Sequence, residues 1–391
     1  MSNVIVSFTR TPIGSFLGSL SSLSSPNLGA ACIEGIIKKI NLDANSITHV
    51  IMGNVLPAGS GQAPARQASI YAGLPNSVHS LTINKMCGSG LESIMIADQL
   101  IKNDPEQIII AGGMESMSRA PHYLMGSRIG TRLGESKLVD GMIVDGLWDV
   151  YNDKHMGNCA EMCAEKFSIT RNEQDDFAIQ SYERSQASIA KGILKNEITP
   201  VQVKSKKVET TISIDEEPAR VSFEKVPSLR PVFQKDGTVT AANASTINDG
   251  AAACLIMSEG MAEKLNLNPI ARILDYASHS HEPEWFTTAP GKAIEALLNK
   301  YDLNSDDIDL WEINEAFSVV SMAAIEDFNL NREKVNIYGG AVALGHPIGA
   351  SGARILTTLI NGMVRTDSKL GLATLCIGGG EASALIVQRH D

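Results

Sequence analysis

Two hydrophobic periods alternate along the chain, and the points where one gives way to the other are its most informative turns. Leu81, Ile83 and Met86 alternate imperfectly with polar neighbours, a short strand, and Leu91, Ile94, Met95 and Leu100 then recur at helical spacing. Ile355, Leu356 and Leu359 open a second helical pattern, directly after Gly345-His346-Pro347-Ile348-Gly349-Ala350-Ser351-Gly352. Apolar runs over 308–313 and 370–375 end at Asn314-Glu315-Ala316-Phe317 and at Cys376-Ile377-Gly378-Gly379-Gly380. Residues 28–40 and 293–300 read as amphipathic helices and 251–257 as a strand. Strands alternating with helices predict mixed α/β layers.

The pattern repeats. Leu42-Asp43-Ala44-Asn45-Ser46-Ile47, followed by Val50, Ile51 and Met52, mirrors Leu303-Asn304-Ser305-Asp306-Asp307-Ile308, followed by Leu310, Trp311 and Ile313. At the same offset of 261, Cys87-Gly88 falls opposite Ile348-Gly349, each opening a small-residue turn into a helix. Ile110-Ala111-Gly112-Gly113-Met114-Glu115-Ser116 further resembles Cys376-Ile377-Gly378-Gly379-Gly380-Glu381-Ala382-Ser383. A period this long implies a duplicated domain, not a solenoid. Residues 118–246 interrupt it with a glycine-rich opening and a helical portion over 172–191, striped by Phe177, Ile179, Tyr182 and Ile189. A polar stretch follows, carrying Lys204, Lys206, Lys207, Arg220, Lys225, Arg230 and Lys235. The expected division is a first core unit of 1–117 with 247–267, an insertion of 118–246, and a second core unit of 268–391.

Composition narrows the function. With 391 residues, 43% apolar and 20% charged, the chain has the length for two core domains and the balance of an ordinary globular enzyme. A net charge of −11 argues against a general nucleic-acid or anionic-membrane binder. The six cysteines are scattered without a disulfide framework, which points to a reducing compartment. Cys159 and Cys163 share one helical face, but no flanking ligands make them a metal pair. No signal peptide, Arg-rich presequence or long apolar span is evident, and the end Arg389-His390-Asp391 is no peroxisomal address. The expectation is a cytoplasmic protein.

Cys87 is the first chemical candidate. Its place at a strand-to-helix turn, between flanking glycines, sets the sulfur against the free N–H groups and positive dipole end of the following helix. Both favour thiolate, the form a nucleophilic cysteine needs. A small buried residue in a tight turn is the alternative. Cys376, His346 and Asn314 each stand at an element end, near glycine or at the close of an apolar run, where α/β folds gather their sites. Taken singly they also fit a core cysteine, a hydrogen-bonded loop histidine and a helix N-cap.

Together these blocks, with Gly112-Gly113-Met114-Glu115-Ser116 and Asn243-Ala244-Ser245-Thr246-Ile247-Asn248-Asp249-Gly250, resemble the thiolase family across essentially the whole chain. The resemblance is nearest to its acetyl-CoA acetyltransferase (acetoacetyl-CoA) branch. It implies an α/β, duplicated fold: two βαβαβ-type core domains in a five-layer α-β-α-β-α arrangement, with the insertion as a loop domain that holds coenzyme A. It implies the reversible condensation of two acetyl-CoA to acetoacetyl-CoA. Cys87 would be the acyl acceptor, His346 its activating base and an enolate ligand, and Cys376 the acid/base at the α-carbon. Asn314 would orient a water toward the enolate oxygen. The N–H groups of Cys87 and Gly378 would form the hole for the acyl-enzyme oxygen. That chemistry asks for such groups: a thioester preserves the acetyl group's energy, and each step develops charge on a thioester oxygen.

The resemblance further places Leu147, His155, Met156, Arg220, Phe233, Ser245, Phe286 and Phe317 beside coenzyme A. No metal and no cofactor are implied. Pro218-Ala219 before Arg220 depart from the aromatic residue of potassium-stimulated members, which speaks against a bound potassium ion. The implied assembly is a homotetramer built from dimers. A broad-range degradative 3-ketoacyl-CoA thiolase is the nearest alternative. A β-ketoacyl synthase is disfavoured by the second cysteine and the long insertion, and a catalytically dead acyl-binding scaffold by the presence of all four catalytic side chains. A nicotinamide dehydrogenase lacks its Gly-x-Gly-x-x-Gly after the first strand.

Overall fold

The computed structural model describes residues 3–130, 132–204 and 208–390; Lys206, Lys207 and Asp391 lie outside them. In chain order the elements that frame the site begin with β1 (Asn3–Arg10), α1 (Ser25–Ile40), β2 (His49–Gly53) and α2 (Pro64–Tyr71). Next come β3 (His79–Ile83), α3 (Ser89–Asn103), β4 (Ile108–Ser116), α4 (Met156–Lys166) and α5 (Arg171–Ala190). After these lie β5 (Asn248–Ser258), β6 (Ala271–Ser280), α6 (Ala289–Tyr301), β7 (Leu310–Ile313) and α7 (Ser318–Asp327). The chain closes with α8 (Ser351–Thr366), β8 (Leu370–Ile377) and β9 (Glu381–Arg389).

The strands run β7-β8-β9-β6-β1-β5-β4-β2-β3, two half-sheets joined edge to edge where Val4 and Ile5 pair with Arg272 and Ala271. In one half β1–β5 and β5–β4 are antiparallel and β4–β2 parallel. In the other, β6–β9 and β9–β8 are antiparallel and β8–β7 parallel. A single parallel bridge from Trp311 to Val335 stands where β3 stands in the first half. The duplication extends to the caps. Asn41 after α1 and Asp302 after α6 take matching left-handed φ values of 51° and 52°, which short polar side chains tolerate.

Helices α1 and α2 cover one outer face, α3 and α8 fill the space between the half-sheets, and α6 and α7 cover the other outer face. This gives five layers. The inner strands are therefore buried on both sides: along β5, Ala251, Ala253, Leu255 and Met257 face the outer core, and Ala252, Cys254 and Ile256 the central one.

The central helices cross almost backbone to backbone. A Cβ at Gly90 would sit 2.7 Å from the Ala353 nitrogen, and one at Gly352 2.4 Å from the Leu91 nitrogen. Since α3 follows Cys87 and α8 follows His346, this crossing brings the two loops together.

The second glycine correspondence does not survive. Gly112 and Gly113 lie inside β4, where a Cβ on Gly113 would strike the Gly349 oxygen. Gly378–Gly380 instead make the β8–β9 turn, with φ of 99° at Gly379 and 87° at Gly380. The two strings look alike because close approach and a tight turn both demand glycine. Within the insertion, α5 spans one residue earlier at each end than expected, and α4 buries Cys159 and Cys163 as apolar core. Among the described residues no cluster could hold a metal ion, and no helix is long and apolar enough to cross a membrane.

Candidate active site

Cys87 is held by a turn that its neighbours force. Met86 takes a left-handed φ of 46°, costly for a bulky side chain. Ser89 braces it: its Oγ donates to the Met86 carbonyl at 2.6 Å and accepts from the Lys85 N–H at 2.8 Å. The thiol opens onto a cavity of about 290 Å³ that His346 and Gly378 also line. Its nearest hydrogen-bond donors are the Gly378 N–H and its own N–H, both of which favour thiolate. Burial outweighs them and pushes the thiol up to about 11. Desolvation is thus the larger effect at this sulfur, and the pull of the helix start toward thiolate the smaller one, which leaves work for a neighbouring base.

His346 supplies a matching base. Its N–H is anchored on Asn248 Oδ1 at 2.9 Å, and its Nδ1 lies 2.5 Å from Ser351 Oγ. That hydroxyl spends its one hydrogen on the Pro347 carbonyl, 3.0 Å away, so it can only accept from the ring. Nδ1 therefore carries the proton, and Nε2 is left with its lone pair and no partner among the described residues. Burial, with the charge of Arg354, drives the imidazole down to about 3, so it rests neutral. Glu115 holds the loop from behind, accepting from the N–H groups of Gly349, Val55 and Leu56 at 2.9–3.1 Å.

Cys376 ends β8 inside an apolar cluster with Met156, Phe286 and Phe317. It is fully buried, and burial and the neighbouring Cys87 raise its thiol well above the ordinary value. Asn314 is likewise buried; its N–H bonds the Thr374 carbonyl at 3.0 Å, and its Oδ1 faces Arg354. It caps no helix, because α7 starts at Ser318 with Phe317 at its N-cap.

The remaining candidates converge. Leu147, His155, Met156, Phe233, Ser245, Phe286 and Phe317 all line the cavity of Cys87. His155 accepts from the Gly157 N–H through Nδ1 at 3.0 Å and stacks on Phe233, ring centroids 4.7 Å apart. Arg220 stands farther out, in an adjoining groove that shares Phe233 and Ser245 with the cavity. His122 and Tyr123 stay outside, Tyr123 donating to Asp145 at 2.6 Å. Sequence reasoning missed Met117, Gly146 and Ile348 in the lining, and Ser351 and Arg354 behind the catalytic groups. Ile348 and Ser351 sat inside a block already singled out, and Arg354 two residues beyond it.

Comparison with known proteins places the chain in a family. The family model "Thiolase, N-terminal domain" matches residues 3–260 and "Thiolase, C-terminal domain" residues 267–389. The chain is 49% identical to an acetyl-CoA acetyltransferase of Pseudomonas aeruginosa, over 99% of each chain. It is 50% identical to the mitochondrial acetyl-CoA acetyltransferase of Bos taurus, covering 99% of this chain and 91% of the relative. Among solved structures, a thiolase from Ascaris suum in complex with coenzyme A superposes with a TM-score of 0.94 at 44% identity over the whole of both chains. The acetyl-CoA acetyltransferase of Bacillus anthracis gives 0.97 at 37% identity, covering 100% of this chain and 99% of the other.

Proposed function

The chain belongs to the thiolase family, and from that premise we propose that it is an acetyl-CoA C-acetyltransferase working through an acetyl-Cys87 intermediate. The observation that carries the reading is one cavity lined by Cys87, Gly378 and His346, with the Gly378 N–H set against the Cys87 thiol and Nε2 of His346 left without a partner among the described residues.

In the first half-reaction His346 Nε2 takes the Cys87 proton as the sulfur bonds to the carbonyl carbon of acetyl-CoA. A free transfer from a thiol at about 11 to an imidazole at about 3 is uphill. It proceeds only in concert with C–S bond formation, where the imidazolium gains the attraction of the developing negative charge. The carbonyl oxygen is stabilised by the N–H groups of Cys87 and Gly378, the bond to the coenzyme A sulfur breaks, and Cys376 gives that sulfur its proton, so that coenzyme A leaves as the thiol and Cys376 is left as thiolate.

In the second half-reaction Cys376, as thiolate, takes an α-proton from a second acetyl-CoA. The enolate oxygen is held by His346 and by a water that Asn314 orients. The enolate carbon attacks the acetyl-Cys87 carbonyl, the C–S bond to Cys87 breaks, and the proton held by His346 returns to the Cys87 sulfur, while Cys376 keeps the α-proton and is restored as the thiol. Thiolysis of acetoacetyl-CoA is the same path reversed.

Leu147, His155, Met156, Phe233, Ser245, Phe286 and Phe317 suit the pantetheine arm, and Arg220 the nucleotide phosphates. No cofactor takes part, and no potassium site is proposed beside Pro218-Ala219. The assembly is read as a homotetramer in the cytoplasm; exposed Met125, Ile129, Leu133 and Tyr151 support burial of that region between subunits.

Mass spectrometry after quenching with acetyl-CoA, together with steady-state thiolysis of acetoacetyl-CoA, tests the reading. An acetyl group on the Cys87 peptide and robust thiolysis are expected. An adduct on Cys376 alone reverses the assignment.

A further inference from the structure

We propose that Arg354 is a positioning residue for the second half-reaction: its guanidinium fixes which end of the Asn314 amide faces the reacting centre. This deepens the acetyltransferase reading and rests on it.

Glu312 and Asn314 are two residues apart on β7 and its extension, so their side chains leave the strand on one face, toward the first turn of α8. Arg354 meets both there. Its Nη1 lies 3.4 Å from Glu312 Oε2 and its Nη2 3.4 Å from Asn314 Oδ1. All three side chains are buried. These contacts are long for hydrogen bonds, and burial pushes the Glu312 carboxyl up to about 8 against the pull of Arg354, so the guanidinium acts on both partners chiefly as a charge on a dipole, which burial strengthens.

A guanidinium has donors and no acceptor, so it admits only the oxygen end of an amide. The Asn314 backbone is already tied to Thr374, which leaves rotation of the amide as the one freedom to be removed. With Oδ1 drawn to Arg354, Nδ2 must point the other way. There it is buried without a partner among the described residues, as is Nε2 of His346. Nδ2 of Asn314 and, once protonated, Nε2 of His346 are the groups we assign to an enolate oxygen and its water. Remove the guanidinium, and the amide loses what distinguishes its two ends. Glu312, held by the same guanidinium, keeps Arg354 from swinging away.

The test uses Arg354→Met and Arg354→Lys in the full chain, with wild-type acetyl-Cys87 formation as the control. A wild type that fails that control indicts the acetyltransferase reading itself. Given a sound control, Arg354→Met is expected to acetylate Cys87 no more slowly than wild type, because losing the guanidinium charge that depresses His346 leaves it, if anything, a stronger base. Its kcat for thiolysis should fall by about 10²-fold, with KM for acetoacetyl-CoA little changed, on the scale of a lost transition-state donor. The variant combined with Asn314→Ala should be no slower than Asn314→Ala alone, since both remove one function. Should the methionine variant fail to fold, Arg354→Lys carries the same test: its compact ammonium pairs with Glu312 but cannot span both partners. Thiolysis within threefold of wild type, equal losses in both half-reactions, or multiplying losses in the double variant would each overturn the proposal.

Discussion

Nδ1 of His346 lies 2.5 Å from Ser351 Oγ, and that contact decides which ring nitrogen is the base. Ser351→Ala should leave Nδ1 without an acceptor and let the other tautomer, with a protonated Nε2, become populated. Acetylation of Cys87 by acetyl-CoA, followed by rapid quench, is expected to slow by about tenfold to a hundredfold, a part of the roughly 10²–10⁴ that general-base catalysis supplies. Binding should change little, because the hydroxyl does not line the cavity. An unchanged acetylation rate would show that the tautomer is set elsewhere.

Burial raises the Cys87 thiol to about 11, above the 8.5 or so of an ordinary cysteine. The sign is plain: at any pH below 11 a smaller fraction is thiolate than in an exposed cysteine. Alkylation of Cys87 by iodoacetamide, read by mass spectrometry, should therefore climb about tenfold per pH unit from 7 to 10 without a plateau. A plateau already at pH 7 would mean a resting thiolate, and the concerted proton transfer to His346 would lose its rationale.

Cys376→Ala separates the two thiols. The variant should still carry an acetyl group on Cys87 while condensation and thiolysis fall by roughly 10²–10⁴-fold. Cys376 comes from β8 and Cys87 from the turn before α3, so its loss leaves the acyl acceptor in place. Near-normal turnover removes Cys376 from the chemistry.

The crossing of α3 and α8 makes a prediction for stability. Gly352→Ala puts a methyl 2.4 Å from the Leu91 nitrogen, which the backbone cannot yield without moving both helices. Urea unfolding should show a loss of about 1–3 kcal/mol or more, as for overpacked cores. A gain in stability would mean that the helices are not held so close in solution.

How much of this was legible in the sequence differs by element. The duplicated unit, the turn at Cys87 and the loop at His346 were, because a period switch beside glycine is a local signal. The faces of β5 were not: a strand buried on both sides carries no alternation to read. The glycine strings misled because one residue type answers two different backbone demands. The candidate site was legible as a set of blocks, yet neither the protonated resting state of Cys87 nor the hold of Arg354 on Asn314 was. Desolvation depends on what the whole fold stacks over a thiol, and Arg354 meets Asn314 only through tertiary packing across 40 positions. Neither leaves a mark on local sequence.

The last prediction concerns the acyl chain. Around Cys87 the cavity wall is built from Met117, Met156, Phe286, Phe317 and Ile348, with Gly146 packed against Ile348 and Leu56. Phe286 and Phe317 are themselves buried in the cluster that encloses Cys376, so their rings cannot swing aside without opening that core. A tunnel would reward each extra methylene by about 0.8 kcal/mol, close to fourfold in kcat/KM. A closed wall instead imposes the cost of overpacking, about 1–3 kcal/mol for added methylenes, which exceeds that gain. The decisive comparison is kcat/KM for thiolysis of the four-, six- and eight-carbon 3-ketoacyl-CoA substrates. We expect it to fall by about tenfold at each two-carbon step, and Phe286→Ala to flatten the series by giving the chain somewhere to go. Efficiency that rises along the series in the unmodified protein would make this a broad-range degradative thiolase, and the wall drawn by Phe286 and Phe317 would not be the limit of its substrate.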